Sequence, residues 1–126
     1  MILHIGAYSS KHILFPFIDF VNDNFNQDDH FHILCSKESV DLKYSNAITL
    51  NIFTQTEELI KYMHKAEKIV LHGIWYDKIC DTFHLNKYLL PKVFWILWSG
   101  EYSFPKEVSD IKKWLFKAVV LLIIIN

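Results

Sequence analysis

The chain has 126 residues, with 13 Lys, no Arg and 14 acids, for a formal net charge of −1. That length allows one domain with a real core and excludes two ordinary ones. A hydrophobic fraction of 52% and an aromatic fraction of 16% exclude a disordered chain. The missing arginine removes bidentate recognition of phosphate or guanine, so nucleic acid is not an expected partner. Charge is uneven along the chain: residues 1–60 hold 3 Lys and 8 acids, while residues 61–126 hold 10 Lys and 6 acids. The basic second half suits phosphate or an anionic membrane, and equally a solvated face of lysines.

The predicted elements alternate strand and helix. Ile2–Ile5 is an apolar run stopped by Gly6, and without a basic region before it this start reads as a first strand, not a secretory signal. Ser9 and Ser10 are placed to cap or turn. Apolar residues at 14, 17, 18, 21 and 25 carry helical spacing over Ile13 to Phe25, with Pro16 expected in the first turn. Phe31–Cys35 and Ala47–Ile52 read as strands two and three. Thr54 or Thr56 is the expected cap of a helix running to about Lys65, with Glu57 and Glu58 in its first turn. Lys68–His72 is strand four, Trp75–Phe83 a helix, and Val93–Trp98 strand five after Pro91. A last helix begins near Pro105 and Lys106.

The strands read as uniformly apolar, which marks a parallel sheet buried on both faces. The expected fold is therefore a single α/β domain over residues 1–126: a three-layer Rossmann-like sandwich with a mainly parallel sheet. The run Ala118 to Ile125 is too short for a membrane span, which needs about 20 apolar residues. Three readings are open: a helix running into a sixth strand, an interfacial anchor, or a chain cut short of its natural partner domain. Cys35 and Cys80 sit in apolar or helical surroundings, outside any C-x-x-C, and read as buried thiols.

Motifs narrow the chemistry. Gly6-Ala7-Tyr8-Ser9-Ser10 has one glycine and lacks a dinucleotide or Walker pattern. Ser99-Gly100 lacks the upstream glycine of a nucleophile elbow. His30 and His32 share a strand face, but no third ligand, whether His4, His72 or Cys35, lies at a diagnostic spacing, so no metal and no cofactor is expected. His72-Gly73 ends a strand, where the glycine permits close backbone approach and the histidine could bond a ligand or act as a base. Trp95 reads as core. Trp98, Ser99, Gly100 and Glu101 follow at the next strand end; Trp98 could stack on a sugar ring and Glu101 could bind a hydroxyl or act as a base. Lys112, Lys113 and Lys117, interleaved with Trp114 and Phe116, form a basic aromatic segment suited to a membrane surface.

The run Ile69 to Gly73, then Pro91-Lys92-Val93-Phe94-Trp95-Ile96-Leu97-Trp98-Ser99-Gly100-Glu101, resembles the TDP-N-acetylfucosamine:lipid II N-acetylfucosaminyltransferases (4-alpha-L-fucosyltransferases, glycosyltransferase family 56) in their N-terminal half. The opening Ile2-Leu3-His4-Ile5 strand, Phe17 to Phe25 and His30-Phe31 are similar too, so the resemblance spans most of residues 1–117. It implies the acceptor-side domain of a two-domain GT-B glycosyltransferase. The implied reaction moves an N-acetylfucosaminyl or related hexosyl unit from a dTDP-sugar to an undecaprenyl-diphosphate-linked acceptor, for cell-surface polysaccharide, without a bound metal. His72 and Glu101 would be the catalytic candidates. Gly73, Trp98, Ser99 and Gly100 would bind substrate, and Lys112, Lys113 and Lys117 would touch membrane or phosphate. The nucleotide sugar would be held by a second domain, so this chain alone is expected to be inactive. The implied location is the cytoplasmic side of the membrane, peripherally bound. The competing expectation is a non-catalytic, flavodoxin-like binding or interaction module.

Overall fold

In the computed structural model, which describes residues 1–73, 76–96 and 109–125, five parallel strands form one sheet. The strands are β1 (Ile2–Ala7), β2 (His30–Cys35), β3 (Ala47–Leu50), β4 (Lys68–His72) and β5 (Val93–Ile96), in the order β3-β2-β1-β4-β5. The helices are α1 (Lys11–Asn24), α2 (Thr56–Lys65), α3 (Asp77–Leu85) and α4 (Asp110–Ile125). The expected three-layer α/β Rossmann-like fold is present. The strand order is that of a Rossmann half rather than the flavodoxin order, so the flavodoxin-like outline of the competing expectation is set aside.

Register decides which residues share a face. Leu3 pairs with Phe31 and Ile69, and Ile5 with Ile33 and Leu71. This apolar face meets Leu59 and Met63 of α2, Ile79, Cys80 and Phe83 of α3, and Leu115 and Val119 of α4 in one large core. The helical spacing of Leu59 and Met63 and of Leu115 and Val119 puts each pair on one stripe. Removing each such side chain from water contributes about 1.5–3 kcal/mol. The acids Glu57 and Glu58 open α2, while His64 and Lys65 close it, each at the favourable end of the helix dipole. On the opposite face α1 lays Leu14 and Ile18 against Leu34 and Ala47.

Several local expectations are corrected. The helix of residues 13–25 begins earlier, at Lys11, so Pro16 lies inside α1 and supplies no hydrogen bond to the His12 carbonyl. Ser10 caps nothing with its side chain, and neither threonine caps α2. Instead Asn51 accepts from the Phe53 and Thr54 amides, and Gln55 accepts from the Asn51 amide, a local turn that competes with a simple cap. Two parts of the apolar-strand expectation are overturned. Strands β1, β2 and β4 carry His4, His30, His32 and His72 on one face. The all-apolar β5 is buried on one face only, with Val93 and Trp95 buried while Phe94 and Ile96 are 44% and 45% exposed. The apolar tail does not become a sixth strand, because α4 continues as helix to Ile125. Among the described residues no helix is long and apolar enough to cross a membrane.

Trp95 is core, as expected, with its ring edge-on to Phe116 at 5.7 Å. Its indole N–H finds no hydrogen-bond partner among the described residues. Cys35 and Cys80 are buried thiols, and burial pushes both up to about 12.

Candidate functional site

The chain leaves β1 toward β2 and β3, then returns to place β4 on the other side of β1. The carboxyl ends of β1 and β4 therefore flank a topological switch point, the place where open α/β sheets leave room for a ligand. Ala7 ends β1 there, and His72-Gly73 ends β4. Gly73 has φ 73°, in the left-handed region, and its N–H donates to the Ile96 carbonyl at 3.1 Å. A side chain is disfavoured at that φ, so the glycine lets the chain turn off β4 while staying bonded to β5.

Gly6 is a second glycine at a close approach. It lies one position past Ile5, the partner of Leu71, and so stands beside His72. A Cβ at Gly6 would lie 2.6 Å from Leu14 Cδ1 and 3.6 Å from His72 Cβ. Its bare backbone thus permits α1 and His72 to close over β1.

Four histidines meet under α1. His4 pairs with His32 in register, Ile2 pairs with His30, and His72 follows Leu71. Period-two alternation then sends His4, His30, His32 and His72 to the α1 face. His4 Nδ1 lies 2.9 Å from His72 Nε2, and His4 Nε2 lies 2.9 Å from His30 Nδ1. The His4 ring stacks on His32 at 4.5 Å and 13°. Phe17 of α1 closes the cluster, 4.6 Å from the His72 ring.

Burial keeps His4, His32 and His72 neutral. It lowers His72 to about 4 and His32 to about 4, the latter also through the charges of His72 and His30. His4 falls to about 2, through burial first and then the positive charges that His32, His72 and His30 would carry. His32 Nε2 is buried without a hydrogen-bond partner among the described residues. Among the described residues no group of three or more His, Cys, Asp or Glu is arranged to hold a metal. The two nitrogens of His4 serve different neighbours, a pattern of hydrogen bonds and not of ligands converging on one point.

His30, at the amino end of β2, also lines an open cavity of about 400 Å³ with Met1, Gln27, Asp28, Asn46 and Lys65 among its walls. The cluster therefore runs from that cavity to the switch-point rim.

Of the predicted site residues, His72 and Gly73 stand at the rim. Trp98, Ser99, Gly100 and Glu101 lie outside the described residues. Lys112, Lys113 and Lys117 are on α4, which packs by Phe116 on Trp95, the face opposite the histidines; Lys113 and Lys117 are exposed and Lys112 is half-buried. They do not join the rim. Sequence reasoning set His30 and His32 on one face but missed His4 as the link between them and His72. The signal was the matching parity of His4 and Gly6 in the first strand.

The fold defines a Rossmann-like α/β domain with His72 at its switch point and three further histidines beneath α1. No protein-family model, no curated protein and no solved structure matches this chain.

Proposed function

We propose that this domain is the acceptor-facing half of a glycosyltransferase that moves an N-acetylfucosaminyl or related hexosyl unit from a dTDP-sugar to an undecaprenyl-diphosphate-linked glycan. The observation that carries the reading is the position of His72-Gly73 at the carboxyl end of β4, beside the switch point between β1 and β4. The motif resemblance around the same residues adds to it. In the proposed reaction the acceptor hydroxyl oxygen attacks the anomeric carbon, the bond from that carbon to the dTDP oxygen breaks, and dTDP leaves with the electron pair. A neutral imidazole at His72 takes the hydroxyl proton, with Glu101 as the other candidate base. Trp98, Ser99 and Gly100 would line the acceptor. A second α/β domain would hold the nucleotide sugar.

Binding of an undecaprenyl-diphosphate-linked sugar in detergent micelles tests the reading. The 126-residue chain is expected to bind it, and His72→Ala to weaken binding about tenfold, the loss of one buried hydrogen bond. No binding, or unchanged binding in His72→Ala, would overturn it. Sugar transfer by this chain alone would overturn the assignment of the donor to a second domain. The burial of His72 beneath Phe17 favours the rival reading, a non-catalytic module, for which His72→Ala leaves affinity unchanged. Peripheral membrane contact is tested separately: sedimentation with anionic vesicles should be lost when Lys112, Lys113 and Lys117 are changed to Glu, and persistence of binding would exclude those lysines.

A further inference from the structure

We propose that His30 and His4 are positioning residues that decide which ring nitrogen of His72 carries its proton, and that the three imidazoles relay a proton between the switch-point rim and the cavity beside His30. The inference rests on the reading of His72 as the group that meets the acceptor hydroxyl.

The geometry supplies the chain. His4 spends both ring nitrogens on other imidazoles, Nε2 toward His30 Nδ1 and Nδ1 toward His72 Nε2, each at 2.9 Å. A neutral imidazole has one donor and one acceptor. His4 must therefore donate on one side and accept on the other. Donating on both sides would make it an imidazolium, which burial and its three histidine neighbours oppose. Leu14, Ile18 and Phe17 face the cluster from α1, and Gly6 and Leu34 lie beside it on the sheet. No carboxylate or ammonium is among these groups. At the outer end, Asp28, Lys65 and Met1 with its amino terminus share the cavity wall with His30.

Only two patterns remain. In one, His30 Nδ1–H donates to His4 Nε2, His4 Nδ1–H donates to His72 Nε2, and His72 keeps its proton on Nδ1. In the other every bond is reversed: His72 Nε2–H donates to His4 Nδ1, His4 Nε2–H donates to His30 Nδ1, and His30 keeps its proton on Nε2. The second pattern leaves His72 Nδ1 as a bare acceptor. When that atom takes the acceptor hydroxyl proton, the His72 Nε2 proton passes to His4 Nδ1 and the His4 Nε2 proton passes to His30 Nδ1. The His30 Nε2 proton then leaves to the cavity. One proton enters, one leaves, and no ring stays charged. A buried histidine thus acts as a base without holding an imidazolium. His32 stacks on His4 and takes no part in the chain.

Ring ¹⁵N spectra of the histidine-labelled 126-residue chain near pH 8 test this without sugar or lipid. The wild type should show N–N couplings across both hydrogen bonds. His30→Asp offers His4 only an acceptor, so it should drive His72 to the Nε2–H tautomer, two links away. His30→Phe keeps a ring but no nitrogen and should change the His72 tautomer ratio from the wild-type value. Identical His72 signals in all three proteins, with native amide spectra, would overturn the relay. If a variant fails to fold, absence of the wild-type couplings would overturn it and their presence supports it. Because no acceptor is present, a negative result leaves the acceptor reading standing, and failed acceptor binding leaves the relay standing.

Discussion

His4 and His72, 68 residues apart in the chain, are joined Nδ1 to Nε2 at 2.9 Å across the β1–β4 boundary. This bond spans the one place in the sheet where the chain reverses its direction of growth. It couples the first strand to the rim residue through a buried contact in which one imidazole donates and the other accepts.

Acid should unfold the domain through these rings. Above the ordinary value of 6.5, His4, His32 and His72 are neutral in both states and stability is full. Below it the unfolded chain takes up protons that the fold refuses, down to about 4 for His32 and His72 and about 2 for His4. Stability therefore falls as pH falls, by about 1.4 kcal/mol per pH unit for each imidazole. Urea midpoints measured between pH 7 and about 4 should decline steeply, and His32→Leu should flatten the slope by one proton's share. A level profile would contradict the buried neutral cluster.

Gly6→Ala places a Cβ 2.6 Å from Leu14 Cδ1. Leu14 is buried against Ile18 and Leu34, so its methyl has little room to yield. The variant should lose about 1 kcal/mol or more in urea unfolding. It should also shift the His72 ring signals, because the new methyl meets the His72 Cβ at 3.6 Å.

Gly73→Ala tests the turn off β4. At φ 73° an L side chain crowds its own carbonyl, so a loss of about 1–2 kcal/mol is expected even without a new contact. Calorimetric or urea stability equal to the wild type would mean that this turn relaxes freely.

The thiols give a simple readout of the core. Cys35 and Cys80 are buried and raised to about 12, so neither offers a thiolate near neutral pH. Native protein should resist iodoacetamide while urea-unfolded protein reacts at both positions. Fast labelling of Cys80 in native protein would show that α3 opens from the sheet.

Much of the architecture was legible in local pattern. Short apolar runs at Ile2, Phe31, Ala47, Lys68 and Val93, separated by helical spacing, state an α/β alternation because period and composition are properties of neighbouring residues. Buried cysteines, a core Trp95 and the His72-Gly73 strand end were readable for the same reason. The helix start at Lys11 was not, since Pro16 in isolation argues for a first-turn position and packing of Leu14 and Ile18 overrides it. Nor was the caps' replacement by Asn51 and Gln55, whose competing turns depend on loop geometry.

The sequence by itself determined the α/β alternation, because short apolar runs separated by helical spacing are properties of neighbouring residues. Only the tertiary structure decided that β4 returns beside β1, and so which of the seven histidines meet. Strand order and register are set by long-range packing of α1 through α4. A shift of one residue would have sent His4 to the apolar face and dissolved the cluster.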